Sequence, residues 1–479
     1  MFRTLNRTKF GLSKATIPKP SRQVQRFASQ FNRHQQYSNP RRRNWTNTLL
    51  LSFAGLSITG LGLWWIYWPH HTFSSSVAKL LRKGLWAESE KGKFDYQTAL
   101  KFYLEALELA ESENLDNISD ELTGIQLKIG EMYERLHMNN EALMTYSEIA
   151  AAYLDALTTP GRVASHSRPH IVQKDLRVVV KIVELNSSNP HASKMLLMTH
   201  FLIAQDEVSK RSAYVSDMIK SEKFGVYEEI ESGKPKIANV EDSKIALKED
   251  EKSHIPKNRE AWEPFRDELF NARDLYVAIC MSTGDLAGAV RAKIATTEWM
   301  LNADCEPGEI LMSQTNLGSI MYLQAEEYEV KEYYNIKAKT SQQEIDEAKS
   351  NKEKCLELSS QCYESVLKFA KSLPSNLRRE GNVEESIALS TYGLGVIYLQ
   401  IGKLDEAKNL LRESRLRAKG SGFNDLVVEA ERELAKLTKE VEKLEKSDSH
   451  DELDRMQKLL LASENQPAIE LDIQLAKNR

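Results

Sequence analysis

Cysteine and histidine are the side chains best suited to nucleophilic or metal chemistry, and this chain holds 4 Cys and 10 His in 479 residues. Cys280, Cys305, Cys355 and Cys362 all fall in the second half, at spacings that make neither paired CxxC ligand sets nor a dense disulfide framework. Cys355 and Cys362 would share a helix face about 10 Å apart, beyond disulfide reach. They read as buried free thiols. His70 and His71 are adjacent and cannot share a helix face, while His137, His166, His170, His191, His200, His254 and His450 are scattered among ordinary residues. GxxxxGK[ST], HExxH and GxSxG are all missing. The expectation is a protein without catalytic residues, metal ligands or cofactors, and so a binding protein rather than an enzyme.

What would hold such a binding surface is announced by charge. The chain carries 65 Lys and Arg against 69 Asp and Glu, but the charged residues among the first 87 are all Lys or Arg, and the first acid is Glu88. Setting aside the basic residues of 1–46 leaves a body of net charge about −15. An acidic body excludes a nucleic-acid surface, which needs clustered Lys and Arg. The leader itself alternates Phe2, Leu5, Phe10 and Leu12 with Arg3, Arg7 and Lys9 before Pro18 and Pro20. That amphipathic, acid-free pattern is expected of a mitochondrial presequence, and a basic arm on an endomembrane protein would share it. Arg26-Phe27-Ala28-Ser29 resembles a matrix-peptidase cleavage site.

Residues 49–68 are uncharged throughout. As a helix they would span about 30 Å, the hydrocarbon core of a bilayer. Trp45 on one side and Trp64, Trp65, Tyr67 and Trp68 on the other match interfacial aromatic belts, and Pro69 ends the helix. Arg41, Arg42 and Arg43 precede the span directly, which keeps the N-terminus on the non-translocated side. In a mitochondrial inner membrane this places the N-terminus in the matrix and the body in the intermembrane space. Gly55, Thr59 and Gly62 form a small-residue face for a partner helix in the span.

Beyond the span, apolar residues recur at helical rather than strand spacing. One stretch reads Leu394-Gly395-x2-Tyr398-x3-Gly402-x-Leu404-x2-Ala407-x3-Leu411, and another Ile129-Gly130-x2-Tyr133-x8-Ala142-x3-Tyr146. Both carry the small and large positions of the tetratricopeptide helix pair. Degenerate copies surround Gly284-Asp285-Leu286 and Leu317-Gly318-x3-Tyr322, and a first copy runs from Gly92-Lys93-Phe94 through Ala99, Tyr103 and Ala106 with a two-residue insertion in its turn. Residues 169–185 and 190–209 read as a further pair, built on Val178, Val179, Ile182 and Leu185 and on Leu196, Leu197, Phe201 and Leu202. Residues 319–373 lack Gly and Pro, which predicts two prolonged helices forming a projecting hairpin with Tyr328, Tyr333, Tyr334 and Ile336 along it.

The predicted fold class is therefore all-α: a tetratricopeptide-type helical repeat solenoid preceded by one transmembrane helix. Its parts are a presequence or matrix arm (1–46), the span (47–68), N-terminal repeats (69–215), a charged flexible insert (216–258), C-terminal repeats with a capping helix (259–446) and a polar tail (447–479). In such arrays the first helix of each pair lines a groove. The groove set would be Met312, Ser319, Tyr322 and Leu323 in one copy and Leu389, Tyr392, Val396 and Leu399 in another. These are apolar enough to hold hydrophobic or unfolded peptide. Carboxylate-clamping repeats place Asn at the ninth position, which here holds Glu131, Ala278, Ser319 and Val396. Docking of an acidic chaperone tail is not expected.

Leader, span, the segment Leu85-Trp86-Ala87-Glu88-Ser89-Glu90 entering the first repeat, and the divergent repeats together resemble the tetratricopeptide adaptor subunits of the fungal mitochondrial i-AAA protease. The resemblance implies a single-span inner-membrane protein that binds unfolded or misfolded polypeptides in its groove. It would aid their delivery to the i-AAA protease, in company with that enzyme's membrane adaptor subunits and the lipid bilayer. A membrane-anchored import receptor and a structural scaffold of an inner-membrane complex would use the same parts.

Overall fold

In the computed structural model the described residues are 72–221, 227–229, 235–237 and 255–446, with side chains described over 72–217 and 255–439. The leader, the predicted span with Gly55, Thr59 and Gly62, and the polar tail lie outside them. No helix among the described residues is long and apolar enough to cross a membrane.

The described chain is almost wholly helical. In order come α1 (Ser75–Glu88), α2 (Tyr96–Ser112), α3 (Asp120–Arg135), α4 (Asn139–Thr158), α5 (Arg168–Leu185), α6 (Pro190–Arg211) and α7 (Ala213–Ser221). A small antiparallel ladder follows, β1 (Tyr227–Glu229) pairing with β2 (Pro235–Ile237), inside the segment predicted as a flexible insert. The helices resume as α8 (Arg259–Trp262), α9 (Arg266–Ser282), α10 (Leu286–Asn302), α11 (Pro307–Ala338), α12 (Gln342–Ser372), α13 (Ser375–Arg378), α14 (Gly381–Gln400), α15 (Leu404–Ser421) and α16 (Asn424–Lys446). Residues expected to form an eroded repeat at 169–185 and 190–209 are α5 and α6.

Local chemistry sets the helix ends. Ser74, Asp95, Ser119, Asn189 and Asp285 each accept a bond from the backbone N–H three residues on, as N-caps do. Short turns between paired helices need a left-handed residue. Gly284 and Gly402 supply it at φ +75° and +82°, whereas His137 does the same work at φ +59°.

Within four of the pairs one contact recurs. A Cβ at Gly84 would lie 2.6 Å from the ring of Tyr103, one at Gly130 would lie 2.5 Å from the ring of Tyr146, and one at Gly318 would lie 2.7 Å from the ring of Tyr363. Gly395 meets Leu411 in the same way at 2.9 Å. The first helix thus presents bare backbone where the second seats a large side chain, so the two axes approach closely without a void.

The long hairpin keeps this register. Between Gly130 and Tyr146 the chain runs out through residues 136–138 and back; between Gly318 and Tyr363 it runs out through residues 339–341 and back. Both turns are equally short, so each arm of α11 and α12 has gained about four helical turns, or roughly 22 Å. The turn lacks Gly and Pro: Lys339 takes φ +52° and Ser341 caps α12. Tyr328 and Tyr333 are partly buried on the hairpin, whereas Tyr334 and Ile336 are exposed.

The largest core lies in the middle, around Trp262, Phe265, Phe270, Trp299 and Phe201. It contains polar chemistry that helical periodicity did not disclose. His200 Nδ1 and Asp175 Oδ2 lie 2.6 Å apart, both sealed from solvent, tying α6 to α5. Burial pushes the Asp175 carboxyl up, opposed by its bond to His200. The Arg273 guanidinium stacks 4.1 Å from the Trp299 ring centroid and bonds to Thr296 Oγ1 at 2.7 Å. Leu202, expected among the packing residues of its pair, instead faces solvent together with Met195 and Met198, because the inward stripe of α6 runs through Ser193, Leu197, His200, Phe201 and Ala204.

Helix α3 contains a built-in comparison of two glycines. Gly130→Ala drives a methyl into the Tyr146 ring and should destabilise the protein by about 1–3 kcal/mol. Gly124→Ala meets nothing within 4 Å and should stabilise it by about 0.5–1 kcal/mol through helix propensity. Thermal unfolding of both variants followed by circular dichroism would check the opposite signs.

Candidate functional site

Two first helices, α11 and α14, lie side by side and are joined through a buried bond between Thr315 Oγ1 and Ser390 Oγ at 2.9 Å. Ser319, Tyr322 and Leu323 occupy one face of α11, and Leu389, Tyr392, Gly393 and Val396 occupy the facing stripe of α14, both at helical spacing. Between them opens a recess of about 40 Å³ lined by these seven residues and by Tyr363 of α12. That is room for about three water molecules or the end of one apolar side chain.

Its floor is the Tyr363 ring. It is wedged between Gly318 of α11 and Gly393 of α14, each of which lacks the Cβ that would displace it. The Tyr363 hydroxyl lies 3.1 Å from Ser319 Oγ, and Ser359 Oγ donates to the Gly318 carbonyl at 2.7 Å. Burial pushes the Tyr363 phenol up to about 12 and holds those of Tyr322 and Tyr392 above their ordinary range. All three hydroxyls stay neutral. The site is apolar with polar tips, suited to grip hydrophobic side chains and backbone.

Of the eight residues expected to face the groove, Ser319, Tyr322, Leu323, Leu389, Tyr392 and Val396 come together in this recess. Met312 and Leu399 are not among its lining. Met312 is partly buried nearer the start of α11. Leu399 is 9% exposed in the core that α16 closes with Leu426, Ala430 and Leu437. Tyr392 reaches both, lining the recess while sitting 6% exposed in that same core. The terminal helix therefore covers part of the predicted strip and leaves the remainder open.

Tyr363 and Gly393 were missed by sequence reasoning. A signal for Tyr363 does exist, since its spacing from Gly318 is the regular glycine-to-aromatic spacing with whole extra turns on both arms. Gly393, two residues before the repeat glycine Gly395, marks a second close approach on the same helix.

Residues 160–305 match the family described as the MGR3 middle domain, a segment that covers α5 to α10. In Saccharomyces cerevisiae, a curated relative named mitochondrial inner membrane i-AAA protease supercomplex subunit MGR3 is 37% identical over 429 residues, covering 85% of each chain. A second relative from the same organism, named protein MRG3-like, is 34% identical over 83% of this chain and 89% of its own. The chain belongs to the MGR3 family. Among solved structures, the TPR2AB domain of yeast Sti1 in complex with an HSP90 peptide covers 76% of this chain and 99% of its own at 10% identity, with a TM-score of 0.22. A circular tandem repeat protein with novel repeat topology covers 81% of this chain and 91% of its own at 15% identity and a TM-score of 0.16. Likeness at that level carries no argument about this MGR3-family chain. The recess lies C-terminal to the MGR3 middle-domain segment, on α11, α12 and α14.

All four cysteines are free and buried, Cys355 and Cys362 on one helix among them. No group of His, Cys, Asp and Glu among the described residues has a metal-holding arrangement. Burial pushes the Cys305 and Cys355 thiols up to about 12. Both are held as thiols at pH 8. Native protein should therefore react negligibly with a thiol-specific chromogenic reagent at pH 8 and release the signal of all its thiols once denatured; fast native labelling would contradict the buried placement.

Proposed function

We propose that this chain is a non-enzymatic adaptor of the mitochondrial i-AAA protease complex. Residues 47–68 anchor it in the inner membrane, its leader lies in the matrix and its helical body stands in the intermembrane space. The observation that carries the reading is the 37% identity, along 85% of both chains, to a relative named as an i-AAA protease supercomplex subunit. The acid-free leader, the uncharged stretch 49–68 and the acidic body support the same placement.

The adaptor captures unfolded or misfolded polypeptide in the recess between α11 and α14 and holds it near the protease. Leu323, Leu389 and Val396 offer apolar surface, and Ser319 and the tyrosine tips offer hydrogen bonds to an extended backbone. The recess is too small to swallow a folded element. It selects chains whose apolar side chains are already exposed, which is the property that distinguishes a misfolded client. The partners are the i-AAA protease, its membrane adaptor subunits, unfolded polypeptides and the bilayer. No cofactor or nucleic acid is involved.

Two measurements check this. Protease added to intact mitochondria should spare the body and protease added to mitoplasts should digest it; digestion in intact organelles would sink the inner-membrane assignment. Leu323→Asp combined with Leu389→Asp places charge on partly exposed recess positions and should weaken crosslinking to an unfolded client by about tenfold or more. Co-purification with the protease should persist, and undiminished client crosslinking would remove the recess from the function.

A further inference from the structure

Carboxylates gather on one side of the recess. Glu326 and Glu329 follow Tyr322 by one and two turns on α11, and Glu433 approaches from α16; all three act electrostatically on the Tyr322 hydroxyl, and Glu433 also on that of Tyr392. Their compensation is incomplete. Glu433 is paired with Lys436 at 2.7 Å. Glu329 accepts from Gln400 Nε2 at 3.1 Å and, among the described residues, is paired with Lys352 at 3.9 Å, which sits closer to Glu332 at 2.7 Å. Glu326, partly buried one helical turn beyond Tyr322, has no Lys, Arg or His at ion-pair distance among the described residues. Burial pushes its carboxyl up, the sign of a charge held at a cost that a neighbouring cation would relieve.

An apolar recess beside carboxylates that are only partly compensated has a defined complement. We propose that the recess selects unfolded segments in which an apolar side chain is followed, within about one helical turn, by Lys or Arg: the apolar group enters between Leu323, Leu389 and Val396 while the cation meets Glu326 and Glu329. The inference rests on the recess being the client site and adds a charge preference to it. Apolar contact supplies the affinity, and the carboxylates supply discrimination, because an acidic flank would meet like charge at the same place. Tyr322 joins the two halves, since it lines the recess and precedes Glu326 by one helical turn.

The test uses the full chain in zwitterionic-lipid nanodiscs and three fluorescent peptides that share one apolar core and differ only in flanks of Lys and Arg, of Ser and Gln, or of Glu. Fluorescence anisotropy should rank them basic, neutral, acidic, with about tenfold between the extremes that shrinks as salt is raised. Glu326→Gln combined with Glu329→Gln should compress that ratio to about twofold or less, with circular dichroism verifying the fold. Equal binding of the three peptides would overturn the charge preference while leaving the recess as a site. An undiminished ratio in the double variant would equally overturn it. If none of the peptides binds, or Leu323→Asp with Leu389→Asp leaves binding intact, the recess itself is ruled out and the preference with it.

Discussion

Four of the helix pairs, and with them the candidate site, depend on a large side chain of one helix resting on the bare backbone of a glycine in the preceding helix. Gly84 with Tyr103, Gly130 with Tyr146, Gly318 with Tyr363 and Gly395 with Leu411 are the same contact in four helix pairs. Glycine inside a helix costs about 1 kcal/mol in propensity. The cost is offset because the missing Cβ lets a whole ring or isobutyl group pack against the neighbouring helix, where dispersion and burial gains are larger. The contact fixes how far apart paired helices stand, and so where the faces of successive first helices point.

The candidate site is a consequence of that contact occurring twice on one ring. Tyr363 touches Gly318 on its own partner helix and Gly393 on the next repeat, so a residue that normally closes a pair also becomes the floor between repeats. Above it, α11 and α14 cannot collapse together, and a recess remains. The terminal helix α16 then closes part of the strip: Leu426, Ala430 and Leu437 share one core with Leu399 and Tyr392, and Leu389 and Val396 pack against that core while still lining the recess.

Much of this was legible in the residues alone. The periodicity and small positions around Gly130 and Gly395 disclosed paired helices, the absence of Gly and Pro over 319–373 disclosed the long hairpin, and six of the eight groove positions do converge. Periodicity could not disclose what lies on the second helix of an elongated pair, since Tyr363 is far outside a repeat-length window from Gly318. Nor could it separate the two sides of α6. Leu202 has the composition of a core residue and faces solvent, while His200 has the composition of a surface residue and is buried on Asp175. Which stripe turns inward is set by the neighbours on α5 and α9, and those are brought together only by folding.

By itself the sequence determined the class of element, the turn positions and the split between a basic leader with an uncharged stretch and an acidic helical body, because propensity, glycine placement and net charge are local properties. Only the tertiary structure decided that Glu326 has no cation at ion-pair distance among the described residues, that Tyr363 underlies the recess, and that Leu399 is buried in the core closed by α16 while Leu389 still lines the recess. Those outcomes depend on distances between helices remote in sequence. Such distances are set by how side chains of particular volume fit across an interface, a quantity that no single stretch of chain contains.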